Sequence, residues 1–184
     1  GLADGVLEQV TIIPFNETEA AQWILEENKD QLAAVIVEPV MGSVGMVPAS
    51  AEFLSMLREF TRANGIILIF DEVISFRVSH GGGQGAYGGE PDLTTFGKII
   101  GGGLPGGAVG GRRDIMALLD PSRGTPSVAS GGTFSANPLT MATGYAALEQ
   151  LTPAVYERLA QLGRRLREDG NSIISAAGIK AQIT

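Results

Sequence analysis

The sequence predicts an α/β fold with a mostly parallel sheet flanked by helices. Three observations predict it. Residues 33–39 and 66–71 form nearly unbroken apolar runs, each closing on a carboxylate, as strands covered on both faces of a parallel sheet do. Residues 50–64 between them carry apolar side chains at helical spacing. Alternation of buried strands with helices is the pattern of a parallel sheet. Ligands in such sheets bind beyond the carboxyl ends of the strands, and Glu38 and Asp71 both stand at such ends.

The elements follow in order. Residues 10–15 are β-rich and predict a short strand. Asn16 is positioned as an N-cap with Glu19 three residues on, so a helix is expected to about Asn28, burying Ala20, Trp23, Ile24 and Leu25. Pro39 ends the first apolar strand because it has no N–H to donate. Ser50 caps the next helix, Phe53, Leu54, Leu57 and Phe60 form its inner face, and Asn64-Gly65 supplies a left-handed stop. Residues 93–98 and 107–111 read as short strands, and 114–119 as a short helix. Asn137 followed by Pro138 opens a helix to about Leu151. A last helix is expected from about Pro153 to Asp169, stopped by Gly170-Asn171. Residues 181–184 read as an unfinished strand. With no initiating Met, the chain is expected to be an interior segment of a longer protein.

Composition narrows the function. Thirteen Lys and Arg against 20 Asp and Glu give a net charge of −7, which argues against nucleic acid or an anionic membrane as the main partner. No apolar run reaches the roughly eighteen residues of a membrane span, and no secretion signal is visible, so a cytoplasmic location is expected. The chain has no Cys and a single His, His80, so disulfides, thiolate chemistry and a His-based metal site or Ser-His-Asp triad find no support. Gly is the outlier at 26 residues, about twice the usual share. Fourteen of them lie between Gly81 and Gly111, so the excess is local.

Three clusters carry chemistry. In Asp71-Glu72-Val73, alternation along a strand turns Asp71 and Val73 to one side and Glu72 to the other. A carboxylate beside a branched apolar side chain suits a flat cationic ring; the plain alternative is a solvated Asp-Glu pair. Lys98 sits between Gly97 and Ile99-Ile100-Gly101-Gly102-Gly103, where desolvation favours the nucleophilic free amine suited to a Schiff base. The plain alternative is a snorkelling surface Lys. A phosphate-loop reading fails at Ile99, which replaces the hydroxyl residue that would hold Mg²⁺, and the dinucleotide-like spacing of Gly101, Gly103 and Gly106 lacks its strand and helix context. Finally, Gly131-Gly132-Thr133-Phe134-Ser135-Ala136-Asn137-Pro138 sets a hydroxyl and free N–H groups before a helix start, either a phosphate site or merely a capped helix. Together, Asp71, Lys98 and Thr133 supply what pyridoxal phosphate needs: a partner for the ring nitrogen, an amine for the aldehyde and a hydroxyl for the phosphate.

The run 69–73 and the run 91–105, Pro91 through Pro105 around Lys98, resemble the signature of the class III pyridoxal phosphate aminotransferases. Gly132-Thr133-Phe134-Ser135-Ala136-Asn137-Pro138 is similar to that family's later phosphate motif, and Glu38-Pro39-Val40 to its upstream Glu-Pro element. The Gly81–Gly85 run and Gly110 through Met116 resemble the branch of glutamate-1-semialdehyde 2,1-aminomutase and β-amino-acid aminotransferases. The resemblance implies a fold-type I large domain over residues 1–170, the start of a C-terminal small domain over 171–184, and an obligate homodimer with shared active sites. It implies Lys98 as Schiff-base lysine and proton carrier and Asp71 as partner of the pyridine nitrogen. Val73 would pack on the ring, Gly132 and Thr133 would bind the phosphate of the neighbouring subunit's cofactor, and Glu38 would lie near the site. The expected activity is transfer of an amino group between small amino and keto compounds. Where the aminomutases continue Asp-Glu-Val with Met-Thr-Gly-Phe-Arg, this chain has the shorter Ile74-Ser75-Phe76-Arg77, which leans toward an aminotransferase of β- or ω-amino substrates. The family's upstream half, with its phosphate loop and ring-stacking aromatic residue, is absent from this chain, so the chain alone is expected to bind cofactor poorly. Two readings from other classes stand beside this one: a nucleotide-binding module on the Gly-rich loop, and a non-catalytic dimeric scaffold of the same fold.

Overall fold

The computed structural model describes residues 3–184. A single turn, α1 (Asp4–Leu7), leads into residues 10–15, which form no strand. Helix α2 (Thr18–Asn28) begins without a side-chain cap. Asn16, at φ 62°, instead reaches across the chain: its amide donates to the Pro48 carbonyl at 3.0 Å and accepts from the Ser50 N–H at 2.9 Å. The buried ridge of α2 is Ala21 and Leu25, one turn apart. That phase leaves Ala20 and Trp23 exposed, contrary to the sequence expectation, with Trp23 at 66%.

Strand β1 (Ala34–Val37) is followed by a small antiparallel pair, β2 (Val40–Met41) and β3 (Val47–Pro48). Helix α3 (Ala51–Asn64) starts and stops as its sequence predicts. Ser50 Oγ accepts from the Phe53 N–H at 3.1 Å, and Gly65 closes the helix at φ 68°. Strand β4 (Ile67–Asp71), the short helix α4 (Gly82–Tyr87), β5 (Leu93–Phe96) and β6 (Ala108–Gly111) follow. The main sheet has the order β1-β4-β5-β6. Its first three strands are parallel and β6 is an antiparallel edge.

Phe53, Leu54, Leu57 and Phe60 of α3 pack with Val35, Val37, Leu68 and Phe70 and with Ala21 and Leu25 of α2. The sheet is thus covered on one face. The other face carries Ile36, which is 62% exposed. The expectation of strands covered on both faces is corrected to that extent within this chain.

Beyond β6 come α5 (Arg113–Met116), α6 (Pro138–Glu149) and α7 (Pro153–Ala176). Asn137 caps α6 by accepting from the Leu139 and Thr140 N–H groups at 3.0 and 3.3 Å. Helix α7 does not stop at Gly170-Asn171. Asn171 is turned to the chain end, bonding both the N–H and the carbonyl of Ile183, and a Cβ on Gly170 would strike the Ile183 side chain. The glycine serves close packing here, not helix termination. Residues 181–184 form no strand. Among the described residues no helix is long and apolar enough to cross a membrane.

Candidate active site

Because β1, β4 and β5 are parallel, their carboxyl ends share one edge of the sheet. Glu38 follows β1, Asp71 ends β4, and Lys98 follows β5 after Gly97. The register pairs Asp71 with Thr95. Thr95 Oγ1 donates to Asp71 Oδ1 at 3.1 Å, and the Val73 N–H donates to the same oxygen at 3.0 Å. Asp71 Oδ2 accepts no hydrogen bond among the described residues. The half-buried carboxylate is therefore held by one oxygen and keeps the other as a vacant acceptor.

Glu72 points the other way, as alternation predicts, but it is not solvated. It is fully buried, and its two oxygens accept from the Gly83 and Gln84 N–H groups, the Gln84 side-chain amide and Ser75 Oγ. A buried carboxylate needs such donors. A Cβ on Gly82 would lie 2.6 Å from Glu72 Oε2, and Gly82 also takes φ 72°. Part of the local glycine excess thus lets the backbone of α4 close on Glu72.

Val73 borders the approach to Lys98, since a Cβ on Gly97 would lie 3.2 Å from Val73 Cγ1. Lys98 is exposed and takes the left-handed conformation at φ 50°. That geometry is disfavoured for a residue with a Cβ and gathers at functional sites. The desolvation expected for Lys98 is not met within this chain. The 3₁₀ turn it opens, Lys98–Gly101, is fastened to α6. Thr143 Oγ1 donates to the Gly101 carbonyl at 2.8 Å and Thr140 Oγ1 to the Pro105 carbonyl at 3.0 Å. A Cβ on Gly144 would collide with the Ile100 carbonyl, and one on Gly102 with that of Thr143. A Cβ on Gly106 would likewise strike the Thr140 methyl, whereas one on Gly101 would be in ordinary contact with it. Of the nucleotide-like glycines, Gly106 thus serves helix-to-turn packing and Gly103 takes φ 96°, and no α-helix opens on them.

Lys98 and Val73 line one open cleft of about 770 Å³. Gly132 and Thr133 do not line it. They lie exposed in the loop before α6, where the Ser135 N–H donates to the Gly132 carbonyl at 3.0 Å. Glu38 is half-buried and occupied with its own loop, accepting from the Gly42 N–H at 3.1 Å. The chain thus brings Asp71, Val73 and Lys98 to the same end of the parallel strands, with Val73 and Lys98 lining the cleft and Asp71 outside its lining, and it leaves Thr133 and Gly132 in the loop before α6.

Residues 8–180 match the family Aminotransferase class-III. The chain belongs to this family. This class-III aminotransferase chain is 46% identical over its whole length to glutamate-1-semialdehyde 2,1-aminomutase of Clostridium novyi, covering 42% of that protein. It superposes with a TM-score of 0.97 and 48% identity on an omega-transaminase from Sphaerobacter thermophilus, covering all of this chain and 42% of that one. A transaminase solved with PLP bound gives a TM-score of 0.95 at 42% identity, over 98% of this chain and 42% of that one. The chain therefore spans under half the length of such relatives. The family resemblance read from residues 69–73 and 91–105 is borne out, as is the fold-type I assignment.

Reading the sequence missed Thr95, whose role depends on a register 24 residues away. It also missed Asp92. That residue is 3% exposed and clamped by Arg58 at 3.1 Å, Arg112 at 2.8 Å and the Leu68 N–H at 2.8 Å. Burial works against its charge, but the hydrogen bonds from Arg112 and Leu68 and the Arg58 charge outweigh it and hold the carboxyl below its ordinary range. An acidic residue immediately before strand β5 was the available signal.

Proposed function

We propose that this chain is the Lys98-bearing part of a pyridoxal phosphate-dependent aminotransferase or aminomutase acting on small amino and keto compounds. The observation that carries the reading is the vacant acceptor at Asp71 Oδ2, set on the strand adjoining the one that presents Lys98. When bound, the cofactor supplies an aldehyde carbon and a heteroaromatic ring that accepts electron density.

Asp71 Oδ2 would accept the ring N–H and keep that nitrogen protonated. Thr95 and the Val73 N–H hold the other carboxylate oxygen, so Asp71 need not reorient when the ring arrives. Val73 would cover one ring face. Lys98 Nζ would hold the aldehyde carbon at rest and carry a proton at the reacting carbon during transfer. Gly132 and Thr133, exposed and outside the cleft, would serve the phosphate of a neighbouring subunit in a homodimer with shared sites. Glu38 would brace the same edge through its loop. Residues 1–170 are taken as part of the large domain and 171–184 as the start of the small one.

The shortened run Ile74-Ser75-Phe76-Arg77 and the likeness to an omega-transaminase favour β- or ω-amino substrates over the semialdehyde rearrangement. The test uses the full-length protein. It is expected to take up pyridoxal phosphate, and borohydride is expected to fix the cofactor on the peptide containing Lys98. A Lys98→Ala variant with normal turnover would overturn the assignment.

A further inference from the structure

Glu72 is a charge where the sheet calls for none. It continues the inward-facing row of β4, Leu68 and Phe70, both fully buried. An apolar side chain would extend that row without needing a partner, whereas a carboxylate there must find donors for both oxygens. Four donors meet it: the Gly83 and Gln84 N–H groups, the Gln84 side-chain amide and Ser75 Oγ. These surroundings are complete within this chain, because Glu72 is 0% exposed and leaves no surface for another segment to reach.

Helix α4 has no side-chain cap of its own, so Glu72 supplies acceptors to its first turn from the end of β4. The same helix reaches the other two parallel strands. A Cβ on Gly83 would lie 2.9 Å from Pro39 Cβ, just beyond β1. Gln84 Nε2 donates to Glu72 Oε1 at 2.9 Å and to Thr94 Oγ1 of β5 at 3.4 Å. Thr94 is buried and pairs with Phe70 in the ladder. The carboxyl ends of β4 and β5 are therefore tied on both faces of the sheet. On one face Thr95 bonds Asp71; on the other Gln84 joins Glu72 to Thr94. Between them the Glu72 N–H donates to the Thr95 carbonyl at 3.0 Å. Strand β5 then runs through Phe96 and Gly97 to Lys98, so this junction sets Asp71 relative to Lys98.

We propose that Glu72 and Gln84 are positioning residues for the cofactor: their link to Thr94 fixes the end of β4 against β5 and holds Asp71 and Lys98 at the spacing one ring requires. The inference rests on the reading of Asp71 and Lys98 above and adds two residues that serve it from the opposite face of the sheet.

The test uses the full-length protein and its Glu72→Gln and Gln84→Met variants. Glu72→Gln turns an amide group against N–H donors. Gln84→Met keeps the side-chain length and the backbone donors on Glu72 but removes the link to Thr94. Thermal unfolding shows whether each variant is folded, and Gln84→Met carries the test alone where Glu72→Gln is not. By spectrophotometric titration, pyridoxal phosphate affinity is expected to fall about two- to tenfold in Gln84→Met, the range of a neutral hydrogen bond, and about tenfold or more in Glu72→Gln. Visible circular dichroism per bound cofactor, which reports how firmly the ring is oriented, is expected to fall in both at saturating cofactor. Combining Gln84→Met with Thr95→Val is expected to change affinity by a factor that departs at least about twofold from the product of the single effects, since both ties act on one junction. Unchanged affinity in Gln84→Met overturns the proposal. So does a lower unfolding temperature with unchanged circular dichroism and multiplicative effects, the result of a purely structural role. Failure of the wild-type protein to take up pyridoxal phosphate strikes the proposed function instead, and is seen before any variant is made.

Discussion

Replacing Asp92 by Asn keeps the shape of the side chain and removes its charge. Its carboxylate takes the Leu68 N–H and Arg58 on one oxygen and Arg112 on the other. The Asn carbonyl can still serve Leu68 and Arg58, which share one oxygen, so what is lost is the charge beside Arg58 and the Arg112 contact, where an NH₂ group now faces the guanidinium. Arg112 is 54% exposed and has Asp114 as a second partner, so solvent screens most of its share. Arg58 is only 12% exposed, and its Nε is already a buried donor without a partner. Reducing that charge-assisted bond to a neutral one costs about 1 kcal/mol. Asp92→Ala also strands the Leu68 N–H and is expected to cost about 1–3 kcal/mol more. The assay is chemical denaturation of the full-length protein across pH. Because the folded carboxyl titrates below its ordinary value of 3.8, the Asp92 contribution is complete above that pH and disappears as pH falls through the lower, folded value. The gap between wild type and Asp92→Asn is therefore expected to be constant at neutral and mildly acidic pH and to close below about 3.8. A gap under about 0.5 kcal/mol at neutral pH, or one that widens on acidification, would refute the reasoning.

Other outcomes follow from the site. Thr95→Val keeps the branched shape and removes the hydroxyl on Asp71 Oδ1, so pyridoxal phosphate affinity of the full-length protein, read by spectrophotometric titration, is expected to fall about tenfold; equal affinity would show that Asp71 needs no such support. Gly144→Ala drives a methyl group into the Ile100 carbonyl and is expected to destabilise by about 1–3 kcal/mol with loss of reactivity at Lys98, checked by thermal unfolding and borohydride labelling. If sites are shared between subunits, co-expressing a Lys98→Ala chain with a Thr133→Ala chain restores activity that neither homodimer has, because one site in the mixed dimer keeps both residues; no restoration would place Thr133 with its own subunit's cofactor.

What was legible in the sequence was local. Apolar runs located β1 and β4, Ser50 and Asn137 announced two helix starts, and Gly65 a helix end. Lys98 and Asp71 stood out because neither suits its apolar neighbours. Caps and hydrophobic periods are written within a few residues, so a linear reading reaches them. Where that reading erred, a distant partner had taken over. Asn16 bonds Pro48 and Ser50 instead of capping α2, Gly170 admits Ile183 instead of ending α7, and Trp23 is exposed because contact with α3 selects another stripe of α2.

By itself, then, the sequence determined the strands, most helix ends and the chemical identity of the groups at their carboxyl ends. Tertiary structure alone decided that Thr95 would hold Asp71, that Glu72 would be buried under α4, that Asp92 would be clamped by two arginines and that β6 would run antiparallel. The physical reason is that strand register and the supply of donors to a carboxylate depend on which distant segments meet, and no local pattern of residues encodes that meeting.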